Sequence, residues 1–144
     1  YIGNAVPTVD VEAAKKTMLA LHEAMDRRLI LSCHDCSEGG IGVALAEMAF
    51  AGEIGAEVTI SKIPIDTEMR EDHILFSESN SRFIIEFAPE NEQTVAEILK
   101  DTVFAKIGMT GDSRRLIVNG VKGIVVDEDI FELKEAWQAP LKSV

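Results

Sequence analysis

The stretch Leu29-Ile-Leu-Ser-Cys-His-Asp-Cys-Ser-Glu-Gly-Gly-Ile-Gly-Val-Ala-Leu-Ala-Glu-Met-Ala-Phe-Ala-Gly52 decides the fold. An apolar run (Leu29, Ile30, Leu31) breaks into small polar residues, crosses the Gly39-Gly40 pair, and resumes as an apolar segment in which Glu47 is the one charge. That order predicts a short buried strand over 29–32, a loop that turns on glycine, and a helix over 40–51. A helix start leaves backbone N–H groups without intrahelical acceptors and carries partial positive charge, so such a loop can hold an anion without lysine or arginine. The helix is apolar nearly all round, which predicts neighbours on more than one side. Gly42, Ala44, Ala46, Ala49 and Ala51 permit their close approach.

Outward on the N-terminal side, Asp10 is an N-cap, and Met18, Leu21, His22 and Met25 share the spacing of one helical face, predicting a helix of about 17 residues. Tyr1 in place of methionine, followed by Gly3-Asn4-Ala5-Val6-Pro7, predicts a linker over 1–9 from a preceding domain and a folded domain over 10–144. On the C-terminal side Gly52 and Gly55 stop the apolar helix, and 56–60 alternates with β-branching as a strand does. Ile63-Pro64-Ile65 is extended, and Asp66 caps a short charged helix over 67–75. A polar loop then opens into a strand over 83–87 and a helix over 90–100. The last third is β: 103–109, a turn through Gly111-Asp112-Ser113, 115–118, a tight Asn119-Gly120 turn, and 121–126. Asp127 caps a final helix that ends near Trp137, before Pro140. The sum is an α+β fold, a mixed sheet of about five to six strands with helices packed mostly on one face.

With 144 residues, 47% hydrophobic and 27% charged, the chain has room for one domain with a sizeable core. Its net charge of −11 argues against nucleic acid or an anionic membrane as partner, because lysine and arginine bind those phosphates. The apolar stretches fall short of the roughly 20 residues that span a bilayer, and a cytoplasmic location is expected.

Ser37-Glu38-Gly39-Gly40 offers what phosphate binding needs: residues without bulk, a helix N-terminus and a hydroxyl. A plain glycine turn from strand to helix is the other reading of those residues. Cys33 and Cys36 form a CxxC, but a structural zinc site wants a second ligand pair, which His22 and His73 do not supply. Residues three apart on a strand also face opposite sides, so two chemically silent, reduced thiols are expected. His34-Asp35, at the strand's end, can orient a substrate or a neighbouring domain, or form a structural pair. Glu78-Ser79-Asn80-Ser81-Arg82 can bind a ligand or hydrogen-bond itself.

Two segments resemble a known family. His34-Asp-Cys-Ser-Glu-Gly-Gly-Ile-Gly-Val-Ala-Leu-Ala-Glu-Met-Ala49 is similar to the His-Asp-x-Ser-Asp-Gly-Gly-Leu-x-Val-Ala-Leu-Ala-Glu-Met stretch of the formylglycinamide ribonucleotide amidotransferases, also called phosphoribosylformylglycinamidine synthases. Leu75-Phe-Ser-Glu-Ser-Asn-Ser-Arg-Phe83 resembles that family's Leu-Phe-x-Glu-Ser-x-x-Arg segment, and the resemblance covers essentially the whole chain. It implies the C-terminal domain of an enzyme of the aminoimidazole ribonucleotide synthetase superfamily. Such enzymes use ATP and Mg2+ to activate an amide oxygen as a phosphate, which ammonia then displaces. The implied partners are a preceding ATP-binding domain, a glutaminase subunit, a small accessory subunit and the ribonucleotide substrate.

The same resemblance places Ser37, Glu38, Gly39 and Gly40 at the substrate phosphate, with His34, Asp35, Glu78, Ser79 and Arg82 as ligand or domain contacts. It implies no catalytic residue, no metal ligand and no bound cofactor in this segment by itself. Glu38 departs from the family's usual aspartate by one methylene. A selenophosphate synthetase or hydrogenase maturation factor would share the superfamily, but Glu78-Ser79 with Arg82 argues against those; a CxxC metal or redox module is the alternative of another class.

Overall fold

The structure, a computed structural model, describes residues 6–143. Of the expected linker over 1–9, residues 1–5 lie outside the described residues and 6–10 carry no regular structure. The first helix, α1 (Val11–Asp26), starts where Asp10 takes the Ala13 N–H at 3.0 Å. Its buried face is Ala14, Leu21 and Ala24, whereas Met18 and Met25 are exposed. The face expected from spacing is therefore rotated. Leu21 joins Val95 and Leu99 in a compact cluster.

Strand β1 (Ile30–Asp35) continues three residues past the expected end, because β3 (Phe83–Phe87) pairs antiparallel with it through Cys33↔Ile85, His34↔Ile84 and Asp35↔Phe83. Helix α2 (Gly40–Gly52) follows, ending on Glu53 at φ 54°. After it come β2 (Gly55–Thr59), α3 (Glu71–Phe76), β3, α4 (Glu92–Leu99), β4 (Gly108–Gly111), β5 (Arg115–Asn119), β6 (Ile124–Asp129) and α5 (Ile130–Gln138).

The fold is α+β as expected, but its six strands divide into two sheets. One is the β1-β3 pair, and the other is mixed, in the order β4-β2-β5-β6, with β2 and β5 parallel and the other pairings antiparallel. Glu86 on β3 fastens the sheets together, accepting from Ser32 of β1 at 3.0 Å and from Thr110 of β4 at 2.8 Å.

Four local expectations differ from the structure. Helix α3 starts at Glu71 and not at 67, and Asp66 does not cap it. The start is fixed elsewhere: the Glu71 carboxylate accepts the Val121 N–H of the β5–β6 turn. The strand expected over 103–109 forms only from Gly108, which lies so close to β2 that a Cβ there would stand 2.1 Å from the Glu57 carbonyl oxygen. The β5–β6 hairpin closes through Gly120 N–H to the Gly123 carbonyl at 2.8 Å, a longer turn than Asn119-Gly120 alone. Asp127 stays in β6, paired with Arg115, and Asp129 caps α5 by accepting the Phe131 and Glu132 N–H groups.

The core is built on α2. Ile41, Ala44 and Leu45 pack with Val58, Leu116 and Val118 of the mixed sheet, Ile74 and Leu75 of α3, and Ile84 of β3. On another side, Ala49 and Phe50 meet Ile130 at the start of α5. The helix read as apolar all round is covered accordingly, and burying each large aliphatic side chain of this set contributes about 1.5–3 kcal/mol.

Candidate functional site

Strand β1 runs into the glycine loop, and the Cys36 N–H donating to the Arg82 carbonyl at 2.9 Å carries its pairing one residue further. Ser37 and Glu38, both exposed, form the turn, closed by the Gly40 N–H to the Ser37 carbonyl at 3.0 Å. Gly39 and Gly40 take φ values of 74° and 62°, a left-handed pair that residues with a Cβ adopt only at a cost. Gly40 is also pressed against the second polar loop, since a Cβ on it would lie 2.4 Å from the Ser77 carbonyl oxygen and 2.7 Å from that of Leu75.

The second loop is organised by Arg82. Its guanidinium donates to the carbonyls of Ser77 and Ser79, wrapping the chain around itself, with Ser81 at φ 61°. The wrap presents Glu78 to the first loop, where one carboxylate oxygen accepts the Gly39 N–H at 2.9 Å. Helix α2 has no acidic residue in its first turn, so Glu78 supplies from another loop the negative charge that a helix start favours. Beyond Gly40, the Ile41 and Gly42 N–H groups fall in the first helical turn, which has no acceptor inside the helix.

The structure thus brings Ser37, Glu38, Gly39 and Gly40 together with Glu78, Ser79 and Arg82. This pair of loops presents amides, hydroxyls and the Glu38 and Glu78 carboxylates, with the Arg82 guanidinium turned to the Ser77 and Ser79 carbonyls.

His34 and Asp35 do not join that group. The His34 ring turns to the other side of β1, with Nε2 3.0 Å from Glu47 Oε2 and Nδ1 2.7 Å from the Asp35 carbonyl oxygen. The other Glu47 oxygen accepts the Trp137 indole N–H at 2.8 Å, and the Trp137 ring leans on Phe50 with centroids 5.7 Å apart. Glu47 and Trp137 were not singled out as site residues from sequence. The available signal was a lone charge in an otherwise apolar helix.

The cysteines diverge as residues three apart on extended backbone should: Cys33 is exposed and Cys36 buried. Although Cys33 is exposed, its neighbours shield the thiol from part of the solvent, and that desolvation, and then Asp35, raise it. Burial pushes Cys36 up to about 11, with Arg82 pulling the other way and Asp35 and Cys33 adding to the rise. A raised thiol holds less of the thiolate, which is the nucleophilic form. Among the described residues no group of three or more His, Cys, Asp or Glu side chains is placed to hold a metal ion, and no helix is long and apolar enough to cross a membrane.

The phosphoribosylformylglycinamidine synthase subunit PurL of Alkaliphilus metalliredigens is 36% identical over 140 residues, covering 95% of this chain and 18% of that protein. The chain spans about a fifth of the length of the curated relatives it matches. Two solved structures of T. maritima PurL, one complexed with FGAR and one with ATP, share the fold. Their TM-scores are 0.81 and 0.75, with 22% and 23% identity; they cover 91% and 83% of this chain, and it covers 23% and 21% of theirs. The hydrogenase maturation protein HypE shares it more distantly, at a TM-score of 0.62 and 16% identity over 73% of this chain and 39% of its own. Residues 2–121 match the family described as AIR synthase related protein, C-terminal domain, and the chain belongs to that family.

Proposed function

We propose that this chain is the C-terminal domain of a phosphoribosylformylglycinamidine synthase, with residues 1–9 as the linker from an ATP-binding domain and 10–144 as the folded unit. In such an enzyme, ATP and Mg2+ activate the amide oxygen of formylglycinamide ribonucleotide, and ammonia from a glutaminase subunit replaces it, giving the amidine of purine biosynthesis. In this reading ATP and Mg2+ are held by the preceding domain. A small accessory subunit completes the assembly, in the cytoplasm.

The work of this chain is binding. Ser37, Glu38, Gly39 and Gly40 face the phosphate of the ribonucleotide, with Ser79 and Arg82 beside them and Glu78 at the Gly39 N–H. The observation that supports this reading is that an anionic group already sits on that N–H, at 2.9 Å, at the start of α2. A ligand phosphate would displace the Glu78 carboxylate and gather the Gly39 amide with those of the first helical turn. His34 and Asp35 are kept as contacts to the neighbouring domain or to α2. A thiol-based module is disfavoured because Cys33 is exposed and Cys36 is buried, so the two thiols do not face one another.

The test is an assay of the synthetase polypeptide that carries this segment, given ATP, ammonia and formylglycinamide ribonucleotide. ATP-dependent formation of the amidine is expected, and none from the 144-residue chain alone. Robust turnover by the isolated chain, or none by the longer polypeptide, contradicts the proposal.

A further inference from the structure

The most unusual polar contact outside the loop pair is the one around His34. A neutral imidazole has one N–H donor and one lone-pair acceptor. Here both ring nitrogens face oxygen acceptors: Nδ1 lies 2.7 Å from the Asp35 carbonyl oxygen, and Nε2 lies 3.0 Å from the Glu47 carboxylate. A neutral ring would point a lone pair at one of them, whereas an imidazolium donates to both. Glu47, three-quarters buried, uses its second oxygen for the Trp137 indole N–H. Three elements are joined in series through two polar contacts: the end of β1, the middle of α2 and the last turn of α5.

The charges around the ring are few. On its own strand are Asp35, whose carboxylate lies 3.6 Å from Nδ1, and the thiol of Cys33; α2 contributes Glu47; β3 contributes Glu86 on the same open cleft; α5 contributes only the neutral Trp137. Among the described residues that line this cleft there is no lysine or arginine to oppose a proton on His34.

We propose that His34, Glu47 and Trp137 form a proton-dependent clasp, in which the imidazolium of His34 orients Glu47 to hold the outer turn of α5 against α2. Loss of the His34 proton turns one nitrogen lone pair toward an oxygen, loosens Glu47 and frees the Trp137 indole, while Ile130 keeps the first turn of α5 docked. The clasp is therefore set by the His34 proton, which a pH series adds or removes.

Trp137 is the single tryptophan of the chain and therefore its own reporter. Its emission, followed from about pH 5 to about pH 9, should show one transition in the native chain. That transition should persist when His22 and His73, the other two histidines, are replaced by Gln, and vanish in His34→Gln and in Glu47→Gln. If His34→Gln does not fold, the variant lacking His22 and His73 leaves one imidazole to observe by nitrogen-15 NMR. Both of its nitrogens should be protonated below the transition, and the Trp137 indole signal should move with the same midpoint. A pH-independent emission, a transition that survives His34→Gln, or a single-tautomer neutral ring with a static indole signal overturns the clasp.

Discussion

The Gly39 N–H donates to the Glu78 carboxylate at 2.9 Å, joining two loops 39 residues apart in sequence across the start of α2. The contact is exposed, so its worth to the fold is modest. Glu78→Ala should lower stability in urea by about 0.5–1.5 kcal/mol. It should also shift the Gly39 amide resonance and speed its hydrogen exchange, with the amides of α4 unchanged. An unperturbed Gly39 amide would mean that the two loops are joined by other contacts.

Gly40 is constrained by packing as well as by any ligand. With φ at 62° and a Cβ that would stand 2.4 Å from a backbone oxygen, Gly40→Ala should cost about 2–4 kcal/mol of unfolding free energy. Gly52, at the end of the same helix, has nothing within 4 Å of the added atom, and Gly52→Ala should be neutral or stabilising by about 0.5–1 kcal/mol. Equal effects at the two positions would contradict the close approach of α2 to the second loop.

Cys36 gives a pH signature with a definite sign. Burial raises its thiol from 9.0 to about 11, so the unfolded chain loses this proton before the folded one does. The stabilisation is complete below about pH 9 and is lost as the pH rises toward about 11. At pH 8 a disulfide-exchange reagent should label Cys36 far more slowly in the native chain than in urea, by about a hundredfold from thiolate fraction alone. Similar rates in both states would show that the thiol is neither buried nor inert.

Helix α5 hangs on Ile130, which is fully buried against Ala49 and Phe50. Ile130→Ala should cost about 2–5 kcal/mol in a urea or thermal melt. A cost below about 1 kcal/mol would mean that α5 is held mainly by its cap and by Trp137.

Much of this was legible in the sequence. Asp10, Gly39-Gly40 and the run of strand 83–87 each carry a local signal that the structure repeats, because caps, left-handed glycines and β-branched alternation act within a few residues. What was not legible depends on partners far along the chain. The extension of β1 to Asp35 needs β3, the start of α3 needs the turn at Val121, and the rotation of α1 needs the cluster of Leu21 with Val95 and Leu99. The loops 37–40 and 77–82 could be named separately, but the carboxylate that links them spans 39 residues. His34 was named beside Asp35, yet pairs with Glu47 across the strand and helix. Glycine at 40 read equally as a turn or a ligand cradle, and the structure adds the backbone pressed against it, which makes Gly40 substitutions report on stability before they report on binding.

Ser37 is free of that complication, since its side chain is exposed at the turn. The most direct test of the phosphate assignment is therefore the KM for formylglycinamide ribonucleotide in the complete synthetase carrying Ser37→Ala. Loss of one hydrogen bond to a charged group should raise KM by about 5- to 150-fold, or ~1–3 kcal/mol, with kcat and melting temperature little changed. An unchanged KM in a stable enzyme would make the glycine loop a turn and not a phosphate site.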